Sequence, residues 1–200
     1  MDLNSYTVKN LESELLAKRI NSRIVVDDTN ENSDKRKIGT PKVSIKFLVN
    51  NNSAGYLIGK AGATIVELQG ATKARINIAQ SGELFPGTLE RAVLITGALS
   101  HVLACQGLIW NKIAPSIQLD ETSDDGLNLI SGKLLVPSAA SGLIIGRSGA
   151  TIQLISETSG AKLQLSSKDD LLNTKERILT LTGSLPSCIK ATHQIIAKLG

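Results

Sequence analysis

The sequence predicts an α+β fold made of two tandem copies of one small domain, each with the element order β-α-α-β-β-α. The main observation is an internal repeat. A shift of 87 residues aligns residues 54–65 with residues 141–152, and seven of the twelve pairs are identical. This period is too long for a solenoid unit, so each copy is expected to be a whole domain. The length of 200 residues also suffices for two small cores.

The elements of the first copy follow from its hydrophobic periodicity. Residues 43–49 alternate apolar and polar side chains as a half-buried strand does. A short helix is predicted over residues 53–58. A loop at 59–62 then leads into a second helix, in which Ile65 and Leu68 lie one turn apart.

The remainder of the first copy is predicted as two short strands and a long helix. The strands cover residues 75–78 and 91–95, and β-branched residues favour the second of them. Gly97 is predicted to end that strand. The helix covers residues 99–113. Its expected apolar stripe consists of Leu99, Val102, Leu103, Ile109 and Ile113.

The second copy repeats this plan with one length change. Beyond the aligned block the shift becomes 86, so that Arg91 aligns with Arg177. The lost residue falls between positions 80 and 90, where Ser, Gly and Pro residues favour a surface loop. The first strand of the second copy ends at residues 134–136. Its closing helix carries Leu185, Ile189, Ile196 and Leu199.

These patterns divide the chain into four parts. Residues 1–40 form an N-terminal extension, which is expected to be partly disordered because residues 27–37 are almost wholly polar. The first domain covers residues 41–114 and the second covers 128–200. An acidic linker, residues 115–127, joins them.

The charge distribution suits a polyanionic partner. Residues 41–113 carry seven Lys/Arg against three Asp/Glu, and residues 133–200 carry eight against four. In the intervening residues 114–132, all of the charged side chains are acidic. Two mildly basic domains joined by an acidic tether could face a nucleic acid, although two ordinary solvated surfaces would show the same balance.

Aromatic side chains are scarce. They make up 2% of the chain, so rows of stacking rings do not bind its ligand. This counts against an RNA-recognition motif or an OB-fold, whose sheets stack bases on aromatic side chains. The complete set is Tyr6, Phe47, Tyr56, Phe85 and Trp110.

The cysteines and the apolar segments indicate the cellular compartment. Cys105 and Cys188 form no CxxC pair and fall within apolar helical patterns, so we expect buried thiols and a reducing compartment. The N-terminus lacks the basic start and apolar core of a signal peptide. No apolar run approaches the roughly 18–20 residues that span a bilayer. We therefore expect a soluble protein of the nucleus, the cytoplasm or both, without membrane contact.

The strongest chemical signal is a pair of Gly-x-x-Gly loops, each placed before a predicted helix. Glycine lets the backbone approach a phosphate closely and adopt positive φ angles. The helix N-terminus and the basic residue between the glycines add positive charge at the same place. Both copies keep this arrangement, which makes a plain glycine turn the weaker interpretation. The predicted phosphate-binding residues are Gly59, Lys60, Ala61, Gly62, Gly146, Arg147, Ser148 and Gly149.

Catalytic interpretations fail on spacing. The segment 55–61 is one residue too short for a P-loop and has no Ser or Thr after its lysine to hold Mg²⁺. His101 and His193 do not match between the copies, and neither has a candidate nucleophile in a recognisable local arrangement. We expect no enzyme activity, no metal site and no cofactor.

With these motifs, residues 41–113 and 128–200 resemble type I KH domains. They are most similar to the Nova splicing regulators and the poly(C)-binding proteins. Residues 84–91 also resemble the loop and strand entry of Nova-type domains. The resemblance implies a three-stranded antiparallel sheet backed by three helices in each domain. It further implies a narrow groove that holds about four unpaired nucleotides.

The resemblance also assigns roles to residues of the groove. Arg91 and Arg177 match the arginine that donates to the central base, which suggests a preference for cytosine. Asn51 and Ser138 stand where some Nova domains carry an acidic base-reading residue, so the flanking bases stay open. Aliphatic floors bury base faces by dispersion and desolvation instead of ring stacking. The implied floor consists of Ile58, Ile65, Ile76, Ile78, Ile145, Ile152, Leu163 and Leu165.

The predicted function is binding of single-stranded RNA at pyrimidine motifs that contain cytosine, with regulation of pre-mRNA splicing or of mRNA stability and translation. Single-stranded DNA as the ligand and a protein-interaction scaffold are the alternatives. The spacing leaves open whether the two domains pack together, as tandem pairs in this family can through the first strand and last helix, or whether the chain forms a homodimer.

Overall fold

The structure, a computed structural model, describes residues 42–122, 126–167 and 175–199. The predicted extension at residues 1–40 lies outside them. The first half contains β1 (Lys42–Val49), α1 (Asn51–Ile58), α2 (Ala63–Thr72), β2 (Arg75–Ile78), β3 (Arg91–Ala98) and α3 (Leu99–Ile113). The second half contains β4 (Gln118–Thr122), β5 (Asn128–Pro137), α4 (Ser141–Ile145), α5 (Ala150–Ser159), β6 (Lys162–Leu165), β7 (Glu176–Ser184) and α6 (Leu185–Leu199).

The predicted element order β-α-α-β-β-α is confirmed in both halves, and α3 has the predicted bounds. The short first helix begins two residues earlier than predicted. Asn50 caps it, because its side-chain oxygen accepts a hydrogen bond of 2.8 Å from the Ser53 N–H. One strand, β4, lies within the predicted acidic linker.

Two details of the first half were predicted wrongly. Gly97 does not end its strand, since β3 continues to Ala98 and Gly97 pairs with Val43 of β1. A Cβ at Gly97 would lie 3.4 Å from the His101 Cβ and 3.5 Å from the Ala74 Cα, which are ordinary van der Waals distances, so the packing there does not require glycine. Leu99 is not part of the buried stripe of α3, because it is 41% exposed.

The strands of the two halves form one continuous sheet in the order β2-β3-β1-β5-β7-β6, with β4 also paired to β5. The halves meet where β1 and β5 run antiparallel. Phe47 lies opposite Leu134, with Lys46 opposite Leu135 and Leu48 opposite Lys133. Phe47 and Leu134 occupy matching positions of the repeat, so a local two-fold axis passes between them and relates the halves.

Two ion pairs obey the same symmetry. Lys46 in β1 contacts Glu176 at the start of β7, with 2.7 Å between Nζ and Oε1. Lys133 in β5 contacts Glu90, which precedes β3, with 2.7 Å between Nζ and Oε2. Because all four side chains are partly exposed, each pair contributes at most about 1 kcal/mol to stability, and its main effect is on the register of the halves.

Helices α3 and α6 form the buried part of the interface between the two halves. Trp110 of α3 is fully buried, and its ring lies edge-on to Phe47 at 5.5 Å between centroids. Its indole N–H donates to Thr192 Oγ1 of α6 at 2.9 Å. Gly132 of β5 provides the space for the ring, because a Cβ there would overlap the Trp110 ring carbons Cη2 and Cζ3.

All helices that form the core lie on one face of this sheet. Ile45, Phe47 and Val49 of β1 point into that core, whereas Leu48 points to the other face. There Leu48 and Leu135 form a small cluster that Phe85 covers. The shared core of both halves makes residues 42–122, 126–167 and 175–199 one packed body.

The expectation of buried cysteines is confirmed. Cys105 in α3 and Cys188 in α6 are fully buried free thiols. Burial raises the pKa of Cys188 to about 12. It also raises the pKa of Cys105, partly offset by a hydrogen bond with Thr72. Both thiols therefore stay protonated and unreactive in the folded chain.

The Trp110–Gly132 contact gives a stability test. At the matching positions of the repeat, the other side of the two-fold axis carries Ile196 and Ile45, both buried. Gly132→Ile alone should destabilise the fold by about 3 kcal/mol through overpacking. Combining it with Trp110→Ile recreates the Ile pairing and should recover most of that loss.

Urea unfolding of the parent, the single variant and the double variant measures both effects. The Trp110→Ile single variant completes the double-mutant cycle. It separates the stability lost with the indole hydrogen bond from the stability lost through the clash between the isoleucine side chain introduced at position 132 and the Trp110 ring. A double variant as unstable as Gly132→Ile would mean that the Trp110 ring is not what fills the Gly132 space.

Candidate nucleic-acid interface

The two Gly-x-x-Gly loops have nearly the same backbone conformation. In the first, Gly59 has φ 71° and ψ −179°, Ala61 has φ 51° and ψ 29°, and Gly62 has φ 80° and ψ 9°. In the second, Gly146 and Gly149 have φ values of 73° and 82°. The duplication therefore preserves a backbone shape as well as a residue pattern.

The first glycine of each loop is required by geometry. With φ 71° and ψ −179°, Gly59 lies in a region that essentially only glycine adopts. A Cβ on Gly59 would also lie 2.7 Å from the Cβ of Thr64. Gly146 meets Thr151 at the same distance. This glycine packs the loop onto the first turn of the next helix, a role that the sequence did not reveal.

The second glycine serves a different purpose. Gly62 is left-handed at φ 80°, and a Cβ there would meet no heavy atom within 4 Å. Gly149 has the same environment. These positions therefore leave a bare backbone at the surface, where a ligand could approach the chain closely.

The two residues between the glycines are exposed in each loop. Lys60 and Arg147 carry the positive charge. Ala61 and Ser148 are non-glycine residues held at φ 51° and 50°, a conformation that costs about 1 kcal/mol or more. Strain of this kind is concentrated at functional sites, and here it occurs at the matching position of both copies.

Each loop leads into a helix that lacks a side-chain cap. Gly62 is the N-cap of α2 and Gly149 is the N-cap of α5, and neither provides a capping side chain. The positive end of each helix dipole and its uncapped N–H groups therefore point toward the loop, next to Lys60 or Arg147. This combination favours an anion.

The aliphatic residues assigned to the groove form the rim of the shared core. Ile65, Ile78, Ile152, Leu163 and Leu165 are half-buried and pack against it. Ile58 and Ile145, each the residue before the first loop glycine, are also half-buried. Ile76 differs, because only 4% of it is exposed and its main role is in the core.

The two arginines are held by backbone carbonyls. Arg91 is 8% exposed, and its Nε donates to the Ala79 carbonyl at 2.8 Å. Arg177 is 9% exposed, and its Nε donates to the Ser166 carbonyl at 2.8 Å. Each acceptor is the first residue after the edge strand, β2 or β6. The anchor fixes the guanidinium beside the aliphatic rim.

The terminal nitrogens of the two arginines differ. Arg177 donates from Nη2 to the Ser166 carbonyl and from Nη1 to Ser141 Oγ at 3.4 Å. For Arg91 the matching position to Ser141 is Ala54, which has no side-chain acceptor. Within the described part of the chain, the Nη atoms of Arg91 donate no hydrogen bond, so they can reach a ligand.

The remaining features of the sequence do not build a second site. Tyr56 is 54% exposed, whereas Phe47, Phe85 and Trp110 are buried, so the described residues present no row of stacking rings. Among the described residues, no group of three His, Cys, Asp or Glu side chains could hold a metal ion. No helix in the described ranges has the length and apolar character needed to span a bilayer.

The fold and this site define a class of protein. The family model described as "KH domain" matches residues 44–111 and 131–197, which is more than half of the chain. The chain therefore belongs to the KH-domain family and contains two copies of the domain.

Individual relatives agree with that assignment. The chain is 35% identical over 167 residues to RNA-binding protein Nova-2 of Homo sapiens, covering 78% of this chain and 34% of Nova-2. It is 34% identical over 167 residues to RNA-binding protein Pasilla of Drosophila melanogaster, covering 80% of this chain and 21% of Pasilla. The chain thus spans about a third or less of these relatives.

Solved structures of archaeal proteins show a more distant likeness. One is the crystal structure of an a/eIF2alpha–aDim2p–rRNA complex from Pyrococcus horikoshii OT3, with 20% identity and a TM-score of 0.29. The match covers 79% of this chain and 85% of that chain.

The unequal roles of the loop glycines can be tested by stability. Gly59→Ala places a Cβ against Thr64 in a glycine-only backbone region, so we expect it to destabilise the fold by about 3 kcal/mol. Gly62→Ala meets open space and should cost only about 1 kcal/mol. Urea denaturation of both variants measures the difference. Equal losses at the two positions would show that the Thr64 contact is unimportant.

Proposed function

We propose that this chain binds single-stranded RNA through two grooves, one in each KH domain, at short pyrimidine motifs that contain cytosine. The main support is the duplicated arrangement of a bare, cationic glycine loop beside an aliphatic rim and an anchored arginine. The names of Nova-2 and Pasilla, both called RNA-binding proteins, agree with this proposal.

The loop supplies the backbone contacts of each groove. Lys60 and Arg147, together with the helix N-termini behind Gly62 and Gly149, attract the phosphates. Each phosphate neutralised should contribute about −0.7 to the salt slope of log K for a single strand. Because these contacts are to the backbone, they fix the position and direction of the strand without selecting its sequence.

The rim and the arginine act on the bases. Half-buried side chains such as Ile65, Ile78 and Ile152 offer flat apolar contact to base faces. The Nη atoms of Arg91 can donate to O2 and N3 of cytosine, whereas uracil presents an N3–H donor at the same edge. Discrimination of roughly 1–3 kcal/mol follows if both hydrogen bonds form.

Binding of this kind would regulate pre-mRNA splicing or the stability and translation of mRNA, in the nucleus, the cytoplasm or both. The proposed activity is recognition and involves no catalysis. Single-stranded DNA lacks the 2′-hydroxyl and carries thymine in place of uracil but offers the same cytosine edge, so matched DNA oligonucleotides belong in every binding experiment. A scaffold without nucleic-acid affinity is the alternative, and binding of either RNA or DNA would exclude it.

Reversing the charge of both loops gives the main test. The change Lys60→Asp with Ala61→Asp, together with Arg147→Asp and Ser148→Asp, should reduce affinity for a C-rich RNA at least 100-fold, since each loop then repels phosphate. Stability should hardly change, because Ala61 and Ser148 are exposed and left-handed, a conformation that Asp tolerates. Fluorescence anisotropy and thermal melting measure the two effects.

A control removes positive charge elsewhere, and it changes the net charge by −4 against −6 for the loop variant. Lys73 and Lys190 are exposed on α2's C-cap and on α6, away from the loops. Lys73→Asp with Lys190→Asp should weaken binding only a few-fold through the net charge. If the control loses as much affinity as the loop variant, or if the loop variant binds like the parent, the loops are not the phosphate site.

The arginines give a test of base preference. Arg91→Lys keeps the charge but loses the planar fork, so we expect it to reduce the affinity ratio of C-rich over U-rich RNA about 10-fold or more. Arg177→Lys should change that ratio less, because the Nη atoms of Arg177 already bond Ser166 and Ser141. Parallel titrations of both RNAs with each variant, at equal thermal stability, measure the ratios. Equal losses for C-rich and U-rich RNA would make Arg91 a structural residue.

A further inference from the structure

We propose that the edge of β1 beside Leu199 is a docking site for an extended segment of a partner protein, in which an apolar residue is followed by acidic residues. The inference does not depend on the proposed RNA binding. It comes from a difference between the two sides of the two-fold axis. On one side the chain covers a sheet edge with its own strand β4, and on the other side the described residues leave the matching edge open.

On the covered side, the chain that leaves α3 folds back along β5. The Ser131 N–H of β5 donates to the Ile117 carbonyl at 3.0 Å, and beyond it Gln118 of β4 pairs with Ile130. The Ile117 side chain packs against the shared core. A backbone edge and an apolar contact therefore hold this segment together, as they do when a sheet takes up an added strand.

On the open side, Ser44 of β1 takes the place of Ser131. The pairing of β1 with β5 covers only Lys46 to Leu48, so it stops before the exposed Ser44. In an antiparallel sheet, the N–H and carbonyl of alternate residues point to the same neighbouring strand. Those of Ser44 therefore point away from β3, toward a side on which no other described strand pairs with them. Such an edge can accept a strand from another chain.

A cleft of about 170 Å³ lies beside this edge. Its walls match the surroundings of Ser116 and Ile117 on the covered side, because Leu199 of α6 takes the place of Ile113 of α3 in the repeat. An apolar side chain can therefore enter there as Ile117 does on the other side. This β1 cleft is lined by Ser44, Lys46, Leu135, Pro137, Glu176 and Leu199.

The open side lacks the polar contacts that hold the turn after α3. On the covered side, Ser116 Oγ lies 2.6 Å from Ser53 Oγ, and the Asn50 side chain donates to the Ser116 carbonyl at 3.5 Å. The matching residues are Ala140 and Pro137, which have no side-chain donor. An occupant of the β1 cleft therefore needs no serine turn behind a helix, which fits a segment that enters from another molecule.

The charges around the β1 cleft favour an acidic occupant. Lys42 of β1 and Lys198 of α6 are exposed beside it. Its acidic residue, Glu176, contacts Lys46 at 2.7 Å. The segment that fills the matching position, residues 116–122, has an isoleucine followed by a leucine and two acidic residues. The same pattern in a partner would combine the apolar contact with attraction to the two exposed lysines.

The first test adds a fluorescent peptide with the sequence of residues 115–124 to the full chain. Because β4 already covers its own position, the added peptide can pair only at the β1 cleft, and anisotropy should show saturable binding. A scrambled peptide of the same composition should not bind. Failure of the peptide to bind, or equal binding of the scrambled peptide, would overturn the proposal.

Replacing Ser44 tests the strand edge. Ser44→Pro removes the N–H that points to the open side and should reduce peptide affinity about 10-fold or more. Ser44→Ala keeps the N–H, so its affinity should stay within about two-fold of the parent. Thermal melting checks that both variants fold. If a folded Ser44→Pro variant binds like the parent, the peptide is not paired to β1.

Reversing charge tests the lysines without touching a backbone donor. Lys42→Glu with Lys198→Glu should weaken peptide binding about 10-fold at low salt, and high salt should remove most of this difference. Lys73→Glu with Lys190→Glu makes the same change in net charge away from the β1 cleft and should have a much smaller effect. Equal losses for the two pairs would show that the peptide responds only to net charge.

Amide hydrogen exchange locates the peptide. In the chain alone, the Ser44 amide should exchange quickly and the Ser131 amide slowly, and the peptide should slow only Ser44. Bound peptide that leaves Ser44 unprotected would lie elsewhere and would overturn the proposal. Equal protection of both amides before the peptide is added would mean that the edge is already covered. Ser44 protection that grows with protein concentration would place a second copy there instead of a partner.

Discussion

The antiparallel contact between β1 and β5 is the constraint on which the rest of the structure depends. An isolated KH domain would leave β1 as an open sheet edge beside a helix with apolar side chains. Here each half covers that edge for the other, and α3 and α6 close a common core above it. The positions of both glycine loops, both arginines and both aliphatic rims relative to one another follow from this one contact.

Duplication within one chain has allowed this contact to become unequal. In a symmetric homodimer the two sides of a two-fold interface must carry the same residues. Here one side pairs the large Trp110 with Gly132, while the matching positions on the other side are Ile196 and Ile45. The large ring opposite glycine on one side and the two isoleucines on the other fill the interface closely. Two copies of either single domain could not reproduce this packing in a homodimer, because both sides of its interface would be the same.

The sequence predicted the repeating parts of the fold and left out what depends on contacts between distant residues. The glycine loops, the α3 helix and the element order are local patterns that occur twice, so each copy supported the other. Gly97 was misjudged because its pairing with Val43 of β1 keeps it in the strand, a contact between distant residues that no local pattern contains. The Thr64 and Thr151 contacts were missed for the same reason, although their identity in both copies was a visible signal.

The arginines show that residues aligned by the repeat can have different hydrogen-bond partners. Arg91 and Arg177 align in sequence and are anchored alike through Nε, yet Ala54 in one half and Ser141 in the other give their terminal nitrogens different surroundings. The Ser141 hydroxyl and the Ser166 carbonyl both accept from the terminal nitrogens of Arg177, whereas those of Arg91 have no acceptor within the described residues. On the proposed function, a donor without an acceptor inside the protein gains more from a base than one that is already bonded, so the first groove would have the stronger physical reason to select its base. On the same proposal, the second groove keeps the loop charge and the aliphatic rim and would bind RNA with less regard to its sequence.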